Sequence, residues 1–168
     1  MPAALIVRDA LPADLDRVGA LTLAAYRADG MLDAVEDGYE RRLADAATRA
    51  EQAQLLVAVD GETGEPLGTV TFCLPGQPWA EISQPGEAEF RMLAVAPSAR
   101  GRGAGRALVE ECLARAAAAG ASRLVLSTQP ASATAHQLYA RLGFGRLPER
   151  DWSPAPGVHL LAYARPTR

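Results

Sequence analysis

The stretch Arg100-Gly101-Arg102-Gly103-Ala104-Gly105-Arg106 is the most informative part of this sequence. It follows an apolar run that ends at Val95 and leads into an Ala- and Leu-rich segment that predicts a helix over residues 104–119. Glycine at every second position lets backbone N–H groups converge on an anion, and a helix start adds unpaired N–H groups at the positive end of its dipole. The pattern predicts a pyrophosphate site with the arginines beside it; a flexible arginine-bearing turn is the alternative interpretation.

Two familiar phosphate-binding loops do not fit this stretch. In a dinucleotide fingerprint GxGxxG the sixth residue is glycine, but counting from Gly101 it is Arg106, and counting from Gly103 it is Leu108. A P-loop needs a lysine, and the chain has none, because arginine accounts for all 17 basic residues. The same absence excludes Schiff-base chemistry. The phosphate therefore belongs to another kind of ligand.

Composition limits the remaining classes of protein. With 168 residues, of which 49% are apolar, the chain is long enough for one domain, expected to span residues 1–168, with a substantial core. The formal net charge of -3 disfavours a nucleic-acid partner. No apolar run is long enough for a membrane span or a signal peptide, so we expect a cytoplasmic protein with no membrane partner.

The few potential metal ligands are scattered along the chain. Cys73 lies in a predicted strand and Cys112 in a predicted helix, while His136 and His159 are far from both cysteines. No pair has the spacing of a zinc site, so no metal is predicted.

Hydrophobic patterns predict an α/β fold with a mixed sheet. Alternating or continuous apolar runs favour strands at residues 5–8, 55–59, 67–73, 87–95, 123–127, 144–147 and 158–163. Helices are expected from Pro12 to a break at Asp29-Gly30, and over residues 32–53, 104–119 and 132–142. The Pro-rich residues 75–86 and 148–157 are predicted to be loops. This order favours a mostly antiparallel sheet with one β-loop-α-β unit near residues 87–128 and helices on both faces.

Two segments resemble motifs of the GNAT superfamily of N-acetyltransferases. Met92-Leu93-Ala94-Val95-Ala96-Pro97, followed by Arg100 to Gly105, is similar to the acetyl-CoA motif Q/R-x-x-G-x-G/A after an apolar strand. Ala135-His136-Gln137-Leu138-Tyr139-Ala140-Arg141-Leu142-Gly143-Phe144 is similar to the motif A-x-x-L-Y-x-x-x-G-F. The two motifs lie about 35 residues apart, which makes the pair more specific than either motif alone. The resemblance extends over residues 3–164 and implies a GNAT-like fold.

The resemblance implies where acetyl-CoA binds as co-substrate. Its pyrophosphate would sit on the backbone N–H groups of Arg100, Gly101, Arg102, Gly103, Ala104, Gly105 and Arg106. Its pantetheine arm would pair with the edge of the strand at Leu93, Ala94 and Val95, as an added strand. Many relatives place asparagine seven residues before the tyrosine, at the position of Ser132 here; this chain contains no asparagine.

Acetyl transfer to an amine needs a base, an oxyanion site and a proton for the departing thiol. An alkyl amine with a pKa near ~10.4 must lose a proton, and Glu89 is the predicted base, with Glu87 as the alternative. A backbone N–H near residues 93–95 would stabilise the oxyanion. The resemblance places Tyr139 near the sulfur, where a phenol with a pKa near ~10 would protonate a thiolate whose thiol has a pKa near ~8.5.

The sequence thus predicts an acetyl-CoA-dependent N-acetyltransferase that acts on a primary amine of a small molecule. A protein N-acetyltransferase and a non-catalytic acyl-CoA-binding module are the alternatives, and the family leaves a homodimer open. Aromatic residues in regions that form the acceptor side of relatives are Tyr26, Tyr39, Trp79 and Trp152. The acidic residues Glu36, Asp37 and Glu87 would favour a cationic amine.

Overall fold

The structure is a computed structural model that describes residues 3–32 and 38–168. Its strands are β1 (Leu5–Asp9), β2 (Gln54–Asp60), β3 (Pro66–Cys73), β4 (Glu87–Val95), β5 (Arg123–Thr128), β6 (Gly145–Arg146), β7 (Trp152–Ala155) and β8 (Val158–Pro166). Its α-helices are α1 (Leu15–Ala28), α2 (Tyr39–Ala44), α3 (Ala46–Gln52), α4 (Ala104–Ala118) and α5 (Ala133–Arg141).

The strands form a mixed sheet in the order β1-β2-β3-β4-β5-β8-β6, and β7 pairs with β8. The β4–β5 pair is parallel and the other pairs are antiparallel. This arrangement confirms the predicted fold class, a mostly antiparallel sheet with one β-loop-α-β unit.

Alternation along β2 explains why helices cover both faces of the sheet. Side chains point to opposite faces at successive residues of a strand. Leu56 and Ala58 pack in a buried cluster with α4 and α5, whereas Leu55, Val57 and Val59 pack with Val18 of α1 and Ala46 of α3. The prediction of helices on both faces is therefore confirmed.

The strands β4 and β5 separate after a short paired stretch. They pair only from Glu87 to Glu89 with Arg123 to Val125, so the β5-facing edge of β4 is unpaired from Phe90 onward. On its other edge, β4 has a register shift opposite Thr69–Thr71, and Met92 there has a left-handed φ of 54°. Both irregularities bend β4 away from β5 and open a gap in the middle of the sheet.

Two local predictions were wrong. Of the single helix expected over residues 32–53, residues 33–37 lie outside the described part, and the rest forms two helices that meet at Asp45. The Asp45 carboxylate accepts hydrogen bonds from the Thr48 backbone N–H at 3.1 Å and the Thr48 hydroxyl at 2.7 Å, and so caps a new helix. The predicted loop at residues 148–157 contains β7, which pairs only with β8; proline is tolerated in such an edge strand.

Candidate active site

A cleft of about 210 Å³ occupies the gap between β4 and β5. Its walls come from β4, the end of β5, the start of α5 and the end of α1. The lining residues are Tyr26, Asp29, Met31, Tyr39, Glu81, Phe90, Arg91, Met92, Leu93, Ser127, Thr128, Gln129, Ala131, Ser132, Ala133, Thr134, Ala135, Tyr139 and Leu160. The parting of two hydrogen-bonded strands thus creates a site with backbone groups along one wall.

The glycine-rich loop leads from the end of β4 into α4. Gly101 and Gly103 adopt left-handed φ angles of 85° and 87°, which glycine adopts without strain. In the described part of the chain, no group accepts a hydrogen bond from the backbone N–H groups of Gly103, Ala104, Gly105 or Arg106. These are the four donors that a helix start leaves unpaired, and they favour an anion at this point.

Each arginine of this loop forms an ion pair with a carboxylate. Arg100 binds Asp29 at 2.9 Å, Arg102 binds Asp60 at 2.9 Å, and Arg106 binds Glu110 at 2.8 Å. Backbone hydrogen bonds from Thr63 and Glu62, together with Arg102, lower the pKa of Asp60 to about 2. An anion held by the backbone would therefore share these guanidinium groups with existing partners.

Gly105 allows the start of α4 to approach its neighbours closely. A Cβ at this position would lie 3.3 Å from Leu138 Cδ2 of α5 and 3.6 Å from Val95 Cγ2 of β4. The absence of a side chain thus brings the end of β4 and both helices together beside the cleft.

The predicted contacts to a pantetheine arm lie on both walls of the cleft. Leu93 lines it from β4, while Ala94 is buried against Leu21 and Ala25 of α1. Ser132 lines the opposite wall, and its hydroxyl donates to Met31 Sδ at 2.8 Å. Ser132 thus faces the cleft, and its hydroxyl is already hydrogen-bonded to Met31, which is distant in the sequence.

Tyr139 lies on α5 and lines the cleft. Its ring packs against Phe90, Phe144 and Tyr163, at centroid distances of 5.9, 5.8 and 6.2 Å. Burial raises the pKa of the Tyr139 phenol, which therefore stays protonated at neutral pH. No described residue forms a hydrogen bond with its hydroxyl. His136, on the same helix, instead bonds through Nε2 with the Gln129 carbonyl at 3.0 Å.

The two carboxylates predicted from β4 have partners of their own. Glu89 is fully buried and accepts backbone hydrogen bonds from Glu81, Ile82 and Ser83, the shortest at 2.9 Å. Glu87 binds Arg150 at 2.7 Å and also pairs with Arg123. Neither carboxylate lines the cleft.

Glu81 lines the cleft and was missed by the sequence analysis. Its carboxylate binds Arg91 Nε at 2.8 Å, and burial raises the pKa of Glu81. It lies in the loop between β3 and β4, which Glu89 holds from behind through the three backbone hydrogen bonds. The local sequence around Glu81 carries no signal for this position, because the contact to Glu89 spans eight residues.

A second, larger cavity of about 360 Å³ opens from the cleft, and we call it the side cavity. It shares Tyr39, Glu81, Arg91, Gln129 and Leu160 with the cleft. Its other lining residues are Gly38, Arg42, Pro154, Ala155 and Val158.

Of the aromatic residues expected on the acceptor side, two line these spaces. Tyr26 lines the cleft and Tyr39 lines both spaces. Trp79 lies behind the side cavity under two arginines, and Trp152 Nε1 reaches Ser127 Oγ at 3.5 Å. The acidic residues Glu36 and Asp37 lie outside the described residues.

Metal and membrane features were also sought in residues 3–32 and 38–168. No group of three or more His, Cys, Asp or Glu side chains in these ranges is arranged to hold a metal ion. No helix in these ranges has the length and apolar character needed to cross a bilayer.

Comparison with known proteins agrees with this geometry. A family model described as "Acetyltransferase (GNAT) family" matches residues 20–144. No curated protein matches the chain at a significant level.

Several solved structures share the fold. A GCN5-related N-acetyltransferase from Kribbella flavida is 30% identical with a TM-score of 0.67, and the match covers 97% of this chain and 98% of that one. An acetyltransferase of the GNAT family from Staphylococcus aureus Mu50 has a TM-score of 0.73 at 13% identity, with 98% and 100% covered. The ribosomal-protein-S18-alanine N-acetyltransferase from Escherichia coli has a TM-score of 0.68 at 20% identity, with 98% and 94% covered.

Proposed function

Because the chain belongs to the acetyltransferase (GNAT) family and is therefore an acyltransferase, we propose that it transfers the acetyl group of acetyl-CoA to a primary amine of a small molecule. One observation carries the proposal. The open edge of β4 and Tyr139 border the same gap in the sheet, and the unpaired N–H groups at the start of α4 lie where Gly105 meets the end of β4 and α5.

The residues present fit a donor that has an anionic end and an extended arm. The N–H groups of residues 103–106 bind the pyrophosphate, and Arg100, Arg102 and Arg106 add positive charge beside it. The extended arm lies along Leu93 to Val95, where β4 has no partner strand on its β5 side. Ser132, which faces this edge, contacts the arm once its hydroxyl leaves Met31.

When bound, acetyl-CoA supplies an activated thioester, and the chain supplies the proton transfers and the charge stabilisation. A backbone N–H of the open β4 edge stabilises the negative charge that develops on the carbonyl oxygen. Tyr139, whose phenol is neutral at pH 7, donates its proton to the sulfur as the thiol departs.

Two carboxylates are candidates for removing the proton of the amine. Glu89 is the base predicted from the sequence, and its oxygens accept three backbone N–H groups. Glu81 faces both cavities, and burial raises the pKa of its carboxyl above that of an ordinary glutamate, which makes it a stronger base. We therefore assign the proton transfer to Glu81 and give Glu89 the role of a positioning residue that holds residues 81–83.

A thiol-release assay tests the proposal. Cys73 and Cys112 are both fully buried, so a thiol-reactive dye added to the folded protein reports only the CoA that is released. We expect CoA release from acetyl-CoA in the presence of an amine panel comprising amino acids, amino-acid amides, alkyl amines, polyamines, aminoglycosides and peptides with a free N-terminus.

Thermal denaturation gives a separate readout of donor binding. CoA and acetyl-CoA at 100 times their Kd should stabilise the fold by about 2.7 kcal/mol, while ATP and NADH should not. Stabilisation without CoA release from any amine would favour a non-catalytic binding module. Release with peptides alone would favour a protein N-acetyltransferase.

A further inference from the structure

The side cavity has the position expected for the part of the acceptor that does not react. It opens from the cleft at Glu81 and Arg91, which line both spaces, so a molecule in it reaches the reacting centre at one end. Its volume of about 360 Å³ lies within the range of small-molecule sites, roughly 300–1,000 Å³. An amine at the junction of the two spaces would therefore leave the rest of its molecule in the side cavity.

The charges around the side cavity favour an anion. Arg42 and Arg91 line it together with one carboxylate, Glu81, whose charge is already paired with Arg91. No acidic group among the described residues lies within salt-bridge distance of Arg42. Behind them, Arg49 is fully buried, and its Nε and Nη2 have no hydrogen-bond acceptor in the described part of the chain. The lining of the side cavity thus carries two guanidinium groups and one carboxylate.

Trp79 holds the two lining arginines in place. The guanidinium carbons of Arg42 and Arg91 each lie 5.5 Å from the centroid of its ring. The indole itself is buried, and its Nε1 donates to Gln52 Oε1 at 3.0 Å. A planar guanidinium fixed against an aromatic face is pre-organised for a carboxylate, which it binds through two parallel hydrogen bonds.

The opposite wall of the side cavity is apolar. Pro154 and Ala155 of β7 and Val158 and Leu160 of β8 form it. This wall fits an aliphatic group, so the cavity combines an anion site, an apolar surface and an opening toward the thioester.

We propose that the acceptor is an amino-carboxylate with an aliphatic side chain, of the size of a branched-chain amino acid. Its carboxylate binds Arg42, its side chain contacts the β7–β8 hairpin, and its amine lies at the junction beside Glu81. This inference rests on the proposed acetyl transfer and narrows its substrate class. The ammonium group of the acceptor first loses one proton to Glu81, which passes it to solvent. The nitrogen then bonds to the acetyl carbon, the thioester C–S bond breaks, and the sulfur takes a proton from Tyr139. The second proton that leaves the nitrogen is returned through solvent to the Tyr139 oxygen, so the phenol is restored and the net reaction releases one proton.

Three matched acceptors test the inference by thiol release: L-leucine, L-leucinamide and 3-methylbutylamine. They share the aliphatic group and the amine, and only leucine has the carboxylate. We expect kcat/KM for leucine to exceed that for each of the other two by about 10- to 100-fold, the range of a hydrogen-bonded charge pair. Equal or faster turnover of leucinamide, 3-methylbutylamine or a polyamine would overturn the inference while leaving acetyl transfer to amines intact.

Substitution of Arg42 is the second test of the inference. Arg42→Gln should raise KM for leucine about 10- to 100-fold and change kcat/KM for 3-methylbutylamine far less, while Arg42→Lys should restore part of the loss. Arg41→Gln is the matched control, because Arg41 is exposed on the same helix and lines neither cavity. An unchanged KM for leucine in Arg42→Gln overturns the inference. CoA binding without turnover of any amine overturns the proposed function and this inference with it.

Discussion

At the scale of single residues, Tyr139 allows catalysis to be separated from folding. Tyr139→Phe removes only the hydroxyl, which bonds to no described residue, and keeps the ring that packs on Phe90 and Phe144. We expect kcat to fall about 100-fold, because the thiolate leaves unprotonated, while KM for acetyl-CoA and the thermal midpoint stay close to those of the parent. Steady-state kinetics and thermal denaturation measure these quantities.

Tyr163→Phe is the control for this prediction. Tyr163 belongs to the same aromatic cluster, 6.2 Å from Tyr139, but does not line the cleft. An unchanged kcat in Tyr139→Phe, or an equal loss in Tyr163→Phe, would contradict the role of Tyr139 as proton donor.

The pH dependence of kcat/KM shows which of Glu81 and Glu89 is the base. In the parent, kcat/KM should fall toward low pH as Glu81 becomes protonated, and at a higher pH than for an ordinary glutamate because burial raises the pKa of Glu81. Glu81→Gln should abolish this fall. Glu89→Gln should keep that pH limb but lose about 1–3 kcal/mol of unfolding free energy, since an amide nitrogen would face backbone donors. The reverse pattern would make Glu89 the base, as the sequence alone predicted.

At the scale of elements, the start of α4 depends on the left-handed backbone at Gly103. A Cβ added at position 103 would meet no atom within 4 Å, so Gly103→Ala destabilises only through its φ of 87°. This left-handed backbone costs an alanine about 1–2 kcal/mol. Relief of that strain turns the N–H groups of residues 103–106 away from a common point. We expect Kd for CoA, measured by calorimetry, to rise several-fold.

Gly120→Ala is the matched control at the other end of the same helix. Its φ is 78° and a Cβ there also meets no atom within 4 Å, so it carries the same strain without a ligand. Both variants should lose similar stability, and only Gly103→Ala should lose affinity. Equal affinities would show that the start of α4 does not bind the pyrophosphate.

The sequence predicted the elements best where burial is continuous. Strands β2, β3 and β4 and helix α4 lie within one or two residues of their predicted bounds, because their apolar patterns have no competing local signal. Residues 39–52 were wrongly joined into one helix, since the Ala- and Arg-rich pattern continues through the Asp45 cap. Strand β7 was missed, because its proline and the neighbouring glycine favour a loop unless a partner strand is known.

The candidate site likewise contains residues that the sequence reveals and residues that it does not. The glycine-rich loop and Tyr139 are visible as local motifs, since each depends on residues that are close in the sequence. Glu81 is not, because hydrogen bonds to Glu89 determine where residues 81–83 lie. The pairing of Trp79 with Arg42 and Arg91 likewise joins three elements that no spacing connects.

At the scale of the whole molecule, Glu87 ties together the closed end of the sheet. It joins β4 to Arg123 of β5 and to Arg150 in the turn before β7. Burial alone would raise the pKa of Glu87, but hydrogen bonds from Arg150, the Gln84 N–H and Arg123 lower it from an ordinary 4.5 to about 2. Glu87 therefore stabilises the fold fully above about pH 4.5, and this contribution is lost as the pH falls toward 2.

Glu87→Gln should lower the free energy of unfolding by about 3 kcal/mol at pH 7, because it leaves Arg150, whose side chain is only 13% exposed, without its carboxylate partner. The difference from the parent should shrink between pH 4.5 and pH 2. Urea denaturation at several pH values measures both effects. Glu40→Gln, which breaks an exposed pair with Arg27, should cost under about 1 kcal/mol. A loss of the same size in both variants would contradict the role of Glu87.

The side cavity is walled in part by the β7–β8 hairpin, whereas the cleft is walled by strands and helices that also form the core. Substitutions on a surface hairpin usually change stability by less than about 0.5 kcal/mol. If the proposed acceptor site is correct, substitution of Pro154 or Ala155 alters which acceptors are used and leaves the cleft intact. In the proposed function, the fold thus places acceptor recognition on a hairpin that tolerates substitution and donor binding on elements that also build the core.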